Sequence, residues 1–192
     1  TDTAGVSVVA LSRMNVSQLN GTATSFEPIT SEHQVILRPD VSTFGQPDDD
    51  SHGVEDPRVT FDPVSRQYFM TYTCFNGASY NLCLAVCSNG DPLEASCWEK
   101  QGRMFPDKIN TKSGSILIMD RPPHYLVYGC FPVLLATTQN LSANVWETVK
   151  DTNGAPFVLI PERKVSPCEA YERQFALLSN IILARCTTRR CV

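Results

Sequence analysis

The chain has 192 residues, of which 42% are hydrophobic and 19% charged, with a formal net charge of −4. That length and balance fit one globular domain with its own core and exclude a disordered polymer. A net-negative chain lacks the clustered Lys and Arg that hold phosphate backbones or anionic lipid, and no apolar run reaches the roughly 20 residues of a bilayer crossing, so neither nucleic acid nor membrane is an expected partner.

Short alternating runs predict strands at 6–11, 34–37, 58–61, 68–72, 82–87, 116–119, 125–128 and 133–137. Between them lie Asn76-Gly77, Asn89-Gly-Asp-Pro92, Lys112-Ser-Gly114 and Asn153-Gly154, the residue types that turns select. The acidic run Gln46-Pro-Asp-Asp-Asp-Ser51 has neither the spacing nor the closing Glu of a calcium loop and reads as a solvated loop. Glu55, Asp56 and Arg58 surround Pro57, which cannot donate to a ladder and turns Asp56 away from helix. These charges are expected at a strand mouth, where carboxylate and guanidinium suit sugar or phosphate chemistry. Only residues 168–178 carry a weak helical pattern, so the class is all-β.

Two segments share one plan. Leu82-Cys-Leu-Ala-Val-Cys-Ser88 runs on to Trp98, and Val133-Leu-Leu-Ala-Thr-Thr138 runs on to Trp146, each a strand, a polar turn and a tryptophan. A repeat of about 50 residues built from four short strands is what a propeller blade requires, and about three blades fit this length. The expected architecture is therefore a partial, disulfide-stapled β-propeller forming one domain over residues 1–192, with both tryptophans packed inside.

The eight cysteines, Cys74, Cys83, Cys87, Cys97, Cys130, Cys168, Cys186 and Cys191, contain no paired knuckle of zinc-binding spacing, so they are read as disulfide candidates with connectivity open and no metal. Cys83 and Cys87 share one face of a strand, which suits bridges to neighbouring strands. An even cysteine count together with glycosylation sequons at Asn15, Asn20 and Asn140 points to a secreted, extracellular glycoprotein. The start Thr1-Asp-Thr-Ala-Gly5 has no charged-then-apolar leader and reads as a mature chain. His33, His52 and His124 are scattered, with no motif that gives them a catalytic role.

Gly53-Val-Glu-Asp-Pro-Arg58, Tyr68-Phe-Met-Thr-Tyr-Thr73, Phe105-Pro-Asp-Lys108, Asp120-Arg121-Pro122, Leu135-Ala-Thr-Thr138, Trp146 and Pro156-Phe-Val-Leu-Ile-Pro161 occur in an order that resembles glycoside hydrolase family 130. The match spans residues 30–163, whereas residues 164–192 diverge. The resemblance implies a five-bladed propeller of β-mannoside phosphorylases and hydrolases, acting on oligosaccharide or glycan by single-step inversion. It makes Asp56 the general acid, with the neighbouring carboxylate of Glu55 favouring the protonated form that such an acid needs. Inorganic phosphate would be co-substrate and no cofactor is implied. The cationic clamp on substrate or phosphate falls to Arg58, Lys100, Arg103 and Arg121, with Thr111-Lys-Ser113 read as an insertion. Asp120 beside Arg121 departs from the family's His-Arg and would compete with phosphate. A ring left open would present sheet edges for pairing with a second copy. The alternative is a non-catalytic, lectin-like or structural module descended from the same fold.

Overall fold

Strands Gln67–Phe75 and Tyr80–Cys87 set the architecture, because residues 69–74 and 81–87 within them are buried without a break. Side chains alternate across a strand, so a strand buried throughout must have both faces of its sheet covered. The computed structural model describes residues 6–11, 35–43, 45, 50–108, 110–129 and 132–161. The expected helix at 168–178, the 164–192 segment, Cys130, Cys168, Cys186, Cys191, Asn15, Asn20 and His33 lie outside the described residues.

Eleven strands run in chain order: β1 Val9–Ala10, β2 Val35–Leu37, β3 Gly53–Asp62, β4 Gln67–Phe75, β5 Tyr80–Cys87, β6 Trp98–Arg103, β7 Ser115–Leu117, β8 His124–Tyr128, β9 Val133–Thr138, β10 Glu147–Thr148 and β11 Val158–Ile160. They form an antiparallel sheet β3-β4-β5-β6, a second sheet β7-β8-β9-β10 in which β11 also pairs with β9, and a small β1-β2 pair. The two four-strand meanders are successive propeller blades. Among the described residues there is no α-helix, only short 3-10 turns, and no helix long and apolar enough to cross a membrane.

The repeat seen in sequence is the outer half of each blade. In both, the third strand leads through a 3-10 turn, Ala95–Cys97 or Leu141–Ala143, to a tryptophan at or just before the fourth strand. Trp98 and Trp146 are buried, as their matching positions require. The hairpins close on local polar bonds: Asp62 Oδ1 accepts from the Val64 N–H at 3.0 Å, and Asn76 Oδ1 from the Ser79 N–H at 2.7 Å.

Alternation sorts the first blade into two faces. Phe69, Leu82, Leu84 and Val86 pack with Ile116, Leu126 and Trp146 of the second blade. Met70, Tyr72, Cys74, Cys83, Ala85 and Cys87 pack the other way, with Val9, Ile36, Leu37 and Trp98. All four described disulfide cysteines share that second face, and they pair as Cys74–Cys83 and Cys87–Cys97. The one-face placement of Cys83 and Cys87 expected from spacing thus resolves into two bridges to different partners.

Two expectations on this side of the molecule change. β3 begins at Gly53 rather than residue 58, so the Glu55-Asp56-Pro57-Arg58 motif lies within a strand. Asp50, expected in a solvated acidic loop, is 1% exposed and forms an ion pair with Lys100. The charge is tolerated there because Lys100 neutralises it and the Asp40 N–H donates to its second oxygen at 2.8 Å.

Candidate functional site

The site is built from the first strand of each blade. β3 and β7 stand at the ends of their sheets and touch each other: Thr60 Oγ1 donates to the Ile116 carbonyl at 3.3 Å, and from the neighbouring β4 Thr71 Oγ1 donates to the carbonyl of Gly114, just before β7, at 2.7 Å. Thr71 pairs with Arg58 across β3 and β4. Residue 58 is therefore level with 114 and residue 60 with 116, and the two first strands run side by side in the same direction, as neighbouring blades do around a propeller axis.

Asp56 occupies a bulge in this inner layer. Glu55 pairs with Thr73 and Arg58 with Thr71, which leaves Asp56 and Pro57 facing Tyr72 alone. Proline has no N–H to offer a ladder, so Pro57 fits the unpaired position. Asp56 adopts a left-handed φ of 50°, a conformation that Asp tolerates better than most residues, and its side chain is exposed. Bulges re-aim side chains, and here the re-aimed group is a carboxylate at the inner rim.

Its surroundings are polar. Glu55 accepts a hydrogen bond from Ser7 Oγ at 2.9 Å. Thr73, opposite Glu55, is 2% exposed and its hydroxyl has no protein partner, leaving a buried donor for water or ligand. Arg58 is half-buried on the same strand. From the second blade, residues 111–114 reach the same level: Thr111 Oγ1 accepts from the Leu82 N–H at 3.0 Å, and Leu82 pairs with Thr73. Lys112 lies in this segment, with its ammonium 5.0 Å from the Tyr80 ring centroid. The run read as an insertion thus passes level with Asp56, while the Lys112 ammonium itself sits over Tyr80, which pairs with Phe75 and through it with Gly53. The signal available in sequence was its place immediately before the first strand of a blade, which is also where the Asp56 motif stands.

The remaining predicted cations are elsewhere. Arg121 is exposed in the β7–β8 hairpin, beyond the C-terminal end of β7. Asp56 is level with the other end. Six residues of β3 separate Asp56 from Asp62, about 20 Å at the rise of a strand, so the register does not bring Arg121 to Asp56. The groove of about 430 Å³ at the Arg121 end is lined by Phe61, Asp62, Val64, Ile118, Met119 and Asp120 among others, and by neither Asp56 nor Arg121. Within it, burial works to raise the pKa of Asp62. Hydrogen bonds from the Ser65 hydroxyl and the Val64 and Ser65 N–H groups outweigh that effect, with a smaller contribution from His124, and hold the carboxyl below its ordinary value.

Lys100 and Arg103 are engaged in packing. The Lys100 ammonium holds Asp50. Arg103 Nη2 donates to Asn81 Oδ1 at 3.0 Å and to the Lys108 carbonyl, tying β6 to β5 and to the crossing into the next blade. Asn140 is exposed at the start of its 3-10 turn, with Oδ1 accepting from the Ser142 N–H at 3.0 Å.

No protein-family model matches the chain, and no curated protein matches it. Solved structures do. One belongs to work on the GH130 family of mannoside phosphorylases, which contains glycoside hydrolases that target β-1,2 mannosidic linkages in Candida mannan. It is 24% identical with a TM-score of 0.59, over 84% of this chain and 46% of that one. A glycosyl hydrolase from Bacteroides ovatus is 24% identical with a TM-score of 0.55, over 75% of this chain and 41% of that one. The chain spans less than half the length of either. These likenesses establish the fold alone: an all-β propeller-like arrangement, of which the described residues hold two successive sheets and the small β1-β2 pair.

Proposed function

We propose that this chain carries the acid half of a glycoside-processing site in a secreted carbohydrate-active protein. Asp56 would protonate the departing oxygen of a β-linked glycoside while phosphate or water attacks the anomeric carbon from the opposite face, with inversion. With phosphate, the carbon–oxygen bond to the leaving sugar breaks as the bond to phosphate oxygen forms, giving a sugar 1-phosphate and a free hydroxyl. Lys112 and Arg58 would hold an anionic nucleophile, a reading supported by their chain segments lying level with Asp56, and the Thr73 hydroxyl is a further donor. The observation that carries this reading is the left-handed bulge that exposes Asp56 on the innermost strand, level with the Lys112 segment of the next blade. Two described disulfides support an oxidising, extracellular setting.

The test is sugar release from β-1,2- and β-1,4-mannobiose, with and without phosphate, comparing wild type, Asp56→Asn and Lys112→Gln. Asp56→Asn should lose turnover, and Lys112→Gln should lose its phosphate dependence. Equal release by wild type and Asp56→Asn ends the enzymatic reading. The second reading, a binding module without turnover, is favoured by one observation: Lys100 and Arg103 are both taken up in structural contacts. Mannobiose that binds wild type without being cleaved selects it.

A further inference from the structure

A second cavity, of about 630 Å³, opens far out on the second blade, between the turn that carries Lys108 and the hairpin after β10. Its lining includes Lys108, Thr148 and Lys150, with Glu147 and Pro156. The outermost strand β10 is three strands from β7, roughly 14 Å at the spacing of paired strands, so this cavity is distinct from the Asp56 mouth.

Lys108 is held in an unusual way. Its ammonium donates to Tyr128 Oη at 2.8 Å and to Thr148 Oγ1, and lies 4.6 Å from the centroid of the Phe105 ring. Among the described residues no carboxylate pairs with it. The groups its ammonium touches, Tyr128, Thr148 and Phe105, are all neutral, so they orient its charge without cancelling it. An ammonium has three donors, and two are used. Tyr128 Oη and Thr148 Oγ1 also bond each other at 2.8 Å, and each already accepts from Lys108. Whichever hydroxyl donates in that pair, one hydroxyl proton is left over.

Lys150 adds a second cation. It follows β10, bridges to Pro156 and borders the same cavity as Thr148 and Glu147. Glu147 also borders a separate cavity beside Thr137 and Asn140. Two ammonium groups against one carboxylate leave the lining with a net charge of +1. A neutral sugar would leave that charge unbalanced, whereas a carboxylate or phosphate accepts from the remaining ammonium and hydroxyl protons at once.

We infer that this cavity is an anion subsite that takes a carboxylate- or phosphate-bearing sugar residue, independent of the chemistry at Asp56. Titrating the full chain with glucuronic acid, glucose 6-phosphate, inorganic phosphate and glucose by calorimetry tests it. Both anionic sugars should bind and glucose should not, with affinity falling as salt rises. Lys108→Met should weaken glucuronic acid binding more than tenfold and Lys150→Gln severalfold, while Lys112→Gln leaves it unchanged. Lys150 is exposed, so that variant remains informative if Lys108→Met fails to fold. Phosphate binding that Lys108→Met or Lys150→Gln weakens, with neither anionic sugar bound, reduces the cavity to an inorganic-ion site and overturns the inference. So does glucose binding as tightly as glucuronic acid, full affinity in both lysine variants, or loss of binding in Lys112→Gln.

Discussion

Replacing Lys100 by Met separates a structural lysine from a ligand-binding one. Asp50 is 1% exposed and Lys100 is 24% exposed on its side chain, so the change removes the cation from a buried carboxylate that also accepts from the Asp40 N–H. Removing one partner of a fully buried pair costs about 3–5 kcal/mol. Lys100 retains some water contact, which lowers the expectation to about 2–4 kcal/mol. With a urea slope near 2 kcal/mol per molar, the midpoint should fall by about 1–2 M. The double variant Asp50→Leu, Lys100→Met removes both charges and should recover most of the loss, giving a coupling of about 1–3 kcal/mol in a double-mutant cycle. The assay is urea unfolding followed by tryptophan fluorescence, because Trp98 starts the strand that carries Lys100. Unchanged stability in Lys100→Met, combined with lost phosphate or sugar binding, would refute the reasoning and return Lys100 to the ligand clamp expected from sequence.

Three further outcomes follow from the same geometry. Asp56→Asn keeps a residue type that tolerates the left-handed bulge, so its unfolding midpoint should stay within about 0.5 kcal/mol of wild type while mannobiose turnover falls about 10²–10⁴-fold. Gly114→Ala would place a Cβ 2.5 Å from Leu82 Cδ2 between the two blades and should cost about 1–3 kcal/mol in thermal or urea unfolding. Asp62→Ala removes the acceptor for Val64 and Ser65 and should cost about 1.5–3 kcal/mol near neutral pH. Because the folded carboxyl sits below its ordinary value of 3.8, its contribution is complete above that value and disappears as pH falls through the lower folded one. The gap between wild type and Asp62→Ala should therefore close only in acid. A gap that also closes between pH 6 and 8 contradicts the assignment.

The fold was legible because its signals are local. The β-rich runs at residues 68–72 and 82–87, turn dipeptides between strands, and the repeated strand-turn-tryptophan unit depend only on neighbours along the chain, and each blade is a meander of neighbours. Placing Cys83 and Cys87 on one face needs no more than the period of a strand, although choosing Cys74 and Cys97 as their partners needs the register of β4 with β5 and the 3-10 turn before β6. The carboxylate half of the candidate site was equally visible, since Pro57 announces an interruption of the ladder beside Asp56.

The cations were not legible, because a charged side chain is specified by what stands opposite it in space. Lys100 and Arg103 look like free clamps until Asp50 and Asn81 are folded against them. Lys112 looked like part of an insertion until the Thr71–Gly114 hydrogen bond set one blade's first strand level with the next, and that same register carried Arg121 to the far end of the hairpin. Sequence alone determined the all-β class and the blade unit, and offered Asp56 as the candidate acid. Tertiary structure decided which segments stand level with that carboxylate, because relative height is set by contacts such as the Thr71–Gly114 hydrogen bond, 43 residues apart in the chain, and leaves no periodic trace in it.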